Sequence, residues 1–144
     1  LQQKELISLF EVFRKQDYWI EIETNGTIVP DKKVFNLIDQ FNCSPKTSNS
    51  GNKKERRENE KALELFASNE KTTFKFVIQN KDDLKEVLEM VKKYQMKQVY
   101  FMPEGKTKKE QLEKQEWVKQ VCKKYKFNFS PRLHILKYGT KRKV

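Results

Sequence analysis

At 144 residues the chain has room for one domain and one modest core, and a formal charge of +11 with 35% charged residues favours anionic partners. Its lysines are spread along most of the chain and interleaved with glutamates, which fits solvated faces better than a dedicated nucleic-acid groove. Cys43 and Cys122 are the only cysteines, which excludes a zinc knuckle, a redox pair or a cluster-binding loop within this sequence, and no apolar run approaches the roughly 20 residues of a membrane span. The opening "LQQKELISLF" has no signal-peptide architecture, so reduced thiols and a cytoplasmic location are expected.

Leu6, Leu9, Phe10 and Phe13 fall at helical spacing and predict an amphipathic helix from about Gln3 to Lys15. "YWIEIE" reads as a strand in which Ile20 and Ile22 alternate with Glu21 and Glu23. Asn25-Gly26 is a strong hairpin signal, but "TIVPDKK" offers no second alternating strand, so it is expected to close a strand-to-helix loop. Asp31 caps a short helix with Val34, Leu37 and Ile38. "FNCSPK" is a short strand ending in a proline-set turn. Residues 47–60 read as a mobile polar loop that runs into a helix carrying Ala62, Leu63, Leu65 and Phe66. "TTFKFVIQ" alternates as a strand. Asn80 then caps a helix with Leu84, Val87, Leu88 and Val91 on one face. "QVYFM" is a buried-type strand stopped by "PEG", and a long charged helix follows with Val118, Val121, Cys122 and Tyr125 inward. "FNFSPRLHILKYG" reads as strand-like on both sides of Pro131, before the basic tail "TKRKV".

Strands alternating with helices predict parallel strands joined by right-handed crossovers, as an open sheet or a barrel segment, with ligands at the strands' carboxyl ends. Polar, loop-forming runs sit at those ends: "ETNGT", "CSPK", "MPEG" and "SPRLH". In a barrel-like sheet Ile20 and Ile22 would face helices, while Glu21 and Glu23 would face the lumen, where Glu23 can accept from ligand hydroxyls such as a ribose. Two solvated glutamates on a half-exposed sheet explain the pattern equally well. Ser44-Pro45-Lys46 joins a hydroxyl, a fixed turn and a cation, suited to a carboxylate or a sugar edge. Met102 can pack on an aromatic ring while Glu104 accepts a polar hydrogen. Each turn alone would be unremarkable. His134, the single histidine, has no evident serine or cysteine partner; Arg132, Lys141, Arg142 and Lys143 can clamp an anion. No Walker loop, GxGxxG or HExxH is present, and no self-sufficient catalytic constellation.

Taken together and in order, "IEIETNGT", "NCSPK", "FKFVI", "MPEG" and "FSPRLHILKYGTKRKV" resemble the 7-carboxy-7-deazaguanine synthase family of radical S-adenosylmethionine (SAM) enzymes, over nearly the whole chain. The resemblance implies an α/β fold, the C-terminal half of an incomplete parallel (β/α) barrel of the radical SAM type. It implies a lyase in which a 4Fe-4S cluster on three cysteines cleaves SAM to a 5′-deoxyadenosyl radical. That radical starts the ring contraction of 6-carboxy-5,6,7,8-tetrahydropterin to 7-carboxy-7-deazaguanine, with magnesium assisting, for queuosine or archaeosine in tRNA. By the same resemblance Glu23 and Asn25 sit at the SAM ribose, Ser44, Pro45 and Lys46 form a second SAM-contacting segment, and Met102, Pro103, Glu104 and Gly105 form a third near the adenine. Arg132, His134 and the Val144 carboxylate fall on the substrate side. The cysteine loop and the GGEP segment of the family do not occur in this sequence, and Lys143 stands where glycine is expected. The cluster and Mg2+ are therefore expected only with an N-terminal half or a separate cysteine-bearing subunit, without which the chain is expected to be inactive. Further expectations are an electron donor such as flavodoxin or ferredoxin, a homodimer when complete, and no membrane or direct nucleic-acid partner. The alternatives are a non-catalytic basic RNA-binding module and a degenerate nucleotide-binding paralogue.

Overall fold

The structure is a computed structural model that describes residues 3–139 and 141. Val144, Lys143 and Arg142, assigned above to the C-terminal site and tail, lie outside the described residues. Among those described, no helix is long and apolar enough to cross a membrane. The chain divides into two compact units, Leu1–Thr73 and Phe74–Val144.

The first unit opens with helix α1 (Gln3–Lys15), then strand β1 (Glu21–Thr24), helix α2 (Lys32–Leu37) and strand β2 (Gln40–Cys43). A 3-10 turn at Ser48–Ser50 and helices α3 (Lys54–Arg57) and α4 (Glu60–Ala67) lead into strand β3 (Thr72–Ile78), which straddles the division. The segment expected as a polar loop thus carries two short helical pieces, and Arg57 within it is buried, its Nη1 donating to the Lys46 carbonyl at 3.1 Å. β1 and β2 are parallel, with Ile22 opposite Phe41 and Glu23 opposite Asn42. This register puts Ile22, Phe41, Thr24 and Cys43 on one face and Glu21, Glu23 and Asn42 on the other. The first face meets the helices: Phe41 stacks on Phe35 of α2 at 5.0 Å between centroids and meets Phe66 of α4 edge-on at 5.3 Å. On the second face the Asn42 amide donates to the Glu21 carboxylate. The alternation read from "IEIE" holds.

Gly26 closes β1 as the loop signal implied. Its φ is +73°, and an added Cβ would sit 2.8 Å from Leu63 Cδ2 and 2.9 Å from Cys43 Sγ. Asp39 ties the other end of the strand: its carboxylate takes Arg14 in a two-point pair at 2.8 and 2.9 Å and accepts from the Ile20 amide at 2.8 Å.

The second unit holds most of β3, then helix α5 (Lys81–Tyr94), strand β4 (Gln98–Pro103), helix α6 (Lys108–Tyr125), strand β5 (Asn128–Phe129) and helix α7 (Leu133–Tyr138). Asn80 caps α5 by accepting from the amides of Asp82 and Asp83, as predicted. Thr107 and Glu110 form a capping box on α6, where amide donors hold the Glu110 carboxyl below its ordinary range. β4 and β5 are parallel, with Phe101 opposite Phe129, and Phe101 contacts Phe76 and Phe127 edge-on at 6.4 and 5.1 Å. One element differs from expectation: the stretch after Pro131 is a helix rather than a strand. Ile135 is its buried anchor, and Gly139 at φ +61° ends it. A short apolar run flanked by proline and glycine does not by itself choose between the two.

The strands form one parallel five-stranded sheet in the order β1-β2-β3-β4-β5, the open α/β arrangement expected of an incomplete barrel. Two outcomes test the packing. Gly26→Ala is expected to destabilise the protein by about 2 kcal/mol or more, from left-handed strain plus overpacking, read as a lower urea midpoint. Burial pushes the Cys43 thiol up from 9.0 to about 12. The unfolded thiol ionises first, so stability is full below pH 9 and falls as pH rises from 9 towards 12. Cys43 should accordingly resist thiol reagents at pH 8 until the protein is unfolded.

Candidate functional site

In the first unit, a cavity of about 500 Å³ opens at the carboxyl ends of β1 and β2. Its apolar wall includes Ile22, Val34, Phe41 and Phe66, and its polar groups are Glu23, Thr24, Asn25, Ser44 and Lys46. Four residues singled out from the sequence, Glu23, Asn25, Ser44 and Lys46, therefore line one cavity. The reason is local. The Ser44 amide donates to the Thr24 carbonyl at 2.7 Å, extending the ladder one residue past β2 and drawing the "CSPK" turn against the end of β1. The Asn25 carboxamide oxygen accepts from the Thr27 amide and hydroxyl at 3.2 and 2.7 Å, which fixes the loop. Pro45 is buried beneath this turn and does not line the cavity. Lys46 is exposed, and its charge acts on the buried Cys43 thiol, though burial is the larger influence. The volume is in the range of small-molecule sites, and an apolar wall with a few convergent polar groups is the usual makeup of one.

In the second unit the "MPEG" turn is clamped from behind. Gln111, one turn into α6 and 1% exposed, donates through Nε2 to the carbonyls of Pro103 at 2.8 Å and Gly105 at 3.1 Å. Arg132 Nη1 also donates to the Gly105 carbonyl at 3.1 Å, and Lys114 pairs with Glu104 at 2.6 Å. Gly105 has no room for a side chain: a Cβ there would lie 2.9 Å from Glu110 Cβ and 3.1 Å from the Gln111 amide nitrogen. Met102 is half-buried, Pro103 fully buried. Arg132 thus braces a turn, whereas His134 stands exposed on α7.

Sequence reasoning passed over Gln111, Lys114, Asn42 and Arg57. Only Gln111 left a readable signal, a polar residue on the buried stripe that continues through Val118, Val121 and Cys122. Neither cysteine suits a metal. Both are buried, burial pushes both thiols up, and each lies in a different unit. Among the described residues no group of three or more His, Cys, Asp or Glu could hold a metal ion.

No protein-family model matches the chain. In sequence it is 32% identical, over 125 residues, to the 7-carboxy-7-deazaguanine synthase of Pyrobaculum aerophilum, which covers 85% of this chain and 54% of that protein. It is 24% identical to the 7-carboxy-7-deazaguanine synthase of Rhodopirellula baltica, covering 96% of this chain and 58% of that one. In structure it matches Streptococcus suis SuiB, solved bound to S-adenosylmethionine, with a TM-score of 0.62 at 14% identity, over 92% of this chain and 36% of SuiB. The chain spans about half the length of the curated relatives it matches. The resemblance read from its motifs is borne out: over most of its length the chain is related to the 7-carboxy-7-deazaguanine synthases, and its coverage of them is consistent with a C-terminal portion.

Proposed function

We propose that the chain is the C-terminal half of a radical SAM carbon–nitrogen lyase that converts 6-carboxy-5,6,7,8-tetrahydropterin to 7-carboxy-7-deazaguanine in the queuosine or archaeosine pathway. The observation that carries this reading is the cavity lined by Glu23, Asn25, Ser44 and Lys46, four residues that the family motifs mark. Its size and polarity fit SAM. Glu23 accepts from the ribose hydroxyls, Asn25 and Ser44 supply further hydrogen bonds at the sugar edge, and Lys46 attracts the amino-acid carboxylate. Pro45 holds the turn that presents Ser44 and Lys46.

The residues present do not fit a 4Fe-4S cluster, since two buried thiols in different units cannot replace three adjacent thiolates. The cluster, the pathway's magnesium and the electron route from a flavodoxin or ferredoxin are supplied by a cysteine-bearing segment elsewhere. What this chain contributes is binding and orientation. On the substrate side Arg132 acts through the Gly105 turn, while the exposed His134 is the group left for the pterin. A homodimer when complete and a cytoplasmic location belong to the same reading.

The test is an anaerobic mixture of this chain with the portion of the P. aerophilum protein that precedes the matched stretch, cluster reconstituted, with reductant and SAM. The expected outcome is 5′-deoxyadenosine above the level of either piece alone; a stable complex that never cleaves SAM would refute the reading. Salt-sensitive RNA binding with no response to SAM would favour the basic-module alternative. Lys46→Ala is expected to weaken SAM binding about tenfold, the order of one charge-assisted hydrogen bond, by calorimetry. Gly105→Ala should instead lower the urea midpoint while leaving the Glu23 cavity intact, because the added methyl pushes the turn off α6.

A further inference from the structure

We propose that Arg57 and Asn59 are positioning residues of the Glu23 cavity: from one short segment, each holds a backbone carbonyl in one of the two loops that carry the cavity's polar groups. The inference rests on the reading above, in which the cavity takes SAM, and deepens it by naming what sets the spacing of Lys46 and Asn25 before the ligand arrives.

All the groups involved lie in the first unit. Arg57, the last residue of α3, is 7% exposed, and its Nη1 donates to the Lys46 carbonyl at 3.1 Å. The contact acts on the backbone of the Ser44-Pro45-Lys46 turn and not on the Lys46 side chain. Asn59, two residues on, uses both ends of its carboxamide. Oδ1 accepts from the Ala62 amide at 3.2 Å and caps α4, while Nδ2 donates to the Thr27 carbonyl at 3.0 Å. Thr27 in turn donates from its amide and its hydroxyl to the Asn25 carboxamide oxygen, so holding Thr27 holds Asn25.

The residue types argue for more than filled space. Burying a guanidinium costs hydration that an apolar side chain of similar length would not lose. Such a side chain could not reach back eleven residues to hold a carbonyl. For the cap alone, serine or aspartate would serve as well as asparagine, and the amide nitrogen is the part that Thr27 uses. Between Thr27 and Lys46 the chain runs through α2 and β2. The Ser44–Thr24 hydrogen bond at 2.7 Å links the two loops directly. Arg57 and Asn59 add a second link through the two peptide bonds between them, a strap that runs straight into α4, whose Phe66 forms part of the cavity wall. Loops fixed in this way need not be ordered by the ligand, and the entropy saved appears as affinity.

Two variants isolate the strap. Arg57→Met removes the bond to Lys46. Asn59→Ser keeps an oxygen to cap α4 and removes the bond to Thr27, so its urea midpoint should hold. In amide hydrogen exchange of the chain alone, residues 44–47 should open about fivefold more readily in Arg57→Met, and residues 25–28 in Asn59→Ser, the loss of about one hydrogen bond. SAM titrated into the anaerobic mixture described above should bind each variant about fivefold more weakly. Val87→Ala, a core truncation in the second unit, should lower the melting midpoint yet leave loop exchange and SAM affinity unchanged. The proposal falls if exchange in those loops is unaltered, if it rises only in step with exchange across the whole first unit, or if SAM binds both variants as it binds the unaltered chain. Should Arg57→Met fail to fold, Asn59→Ser decides alone. Faster loop exchange in the variants, with no SAM bound even by the unaltered mixture, upholds the strap and removes the SAM reading of the cavity.

Discussion

The first unit depends on how closely its chain passes at Gly26. Backbone there lies against the Cys43 sulfur and the Leu63 side chain, at separations that leave no space for even a methyl group. A residue with φ of +73° and no side chain lets the loop leave β1 and turn at once towards α2. That turn keeps Asn25 next to Glu23, and the Ser44–Thr24 hydrogen bond brings "CSPK" to the same place. Behind it the Phe35, Phe41 and Phe66 rings pack the sheet against α2 and α4 and supply the cavity's apolar wall. Close packing and the site are thus one construction, since the side chains that fill the core on one side line the cavity on the other.

The second unit solves the same problem with polar groups. A turn ending in glycine has exposed carbonyls that would wander, and here two of them are taken by a buried glutamine and one of those also by an arginine. Burying Gln111 has a cost, offset by two hydrogen bonds to backbone carbonyls, while its Oε1 remains without a partner. Fixing the turn in this way removes its conformational freedom.

The chain's chemistry divides accordingly. It contains a lined cavity and a braced turn, and its two thiols are buried, pushed up and in different units, the reverse of what a cluster needs. Kinship with the 7-carboxy-7-deazaguanine synthases along about half their length agrees with that division.

Local pattern alone determined much of this protein. Periodicity gave α1, α5 and α6, Asn80 announced the start of α5, and the failed hairpin after Asn25-Gly26 gave the strand-to-helix loop. Motif order identified the relatives. These were legible because helical spacing, capping and alternation are set by neighbours within a few residues. Tertiary structure alone decided that the run after Pro131 coils, that Arg132 spends its guanidinium on the Gly105 carbonyl, and that Gln111 is buried where "MPEG" needs donors. It also decided that Pro45 turns inward while Ser44 and Lys46 reach the cavity, and that Tyr18 and Trp19, read as part of a strand, stand in solvent before it. Each of those outcomes depends on which surface folds back against the residue from far along the chain, and no local pattern carries that information.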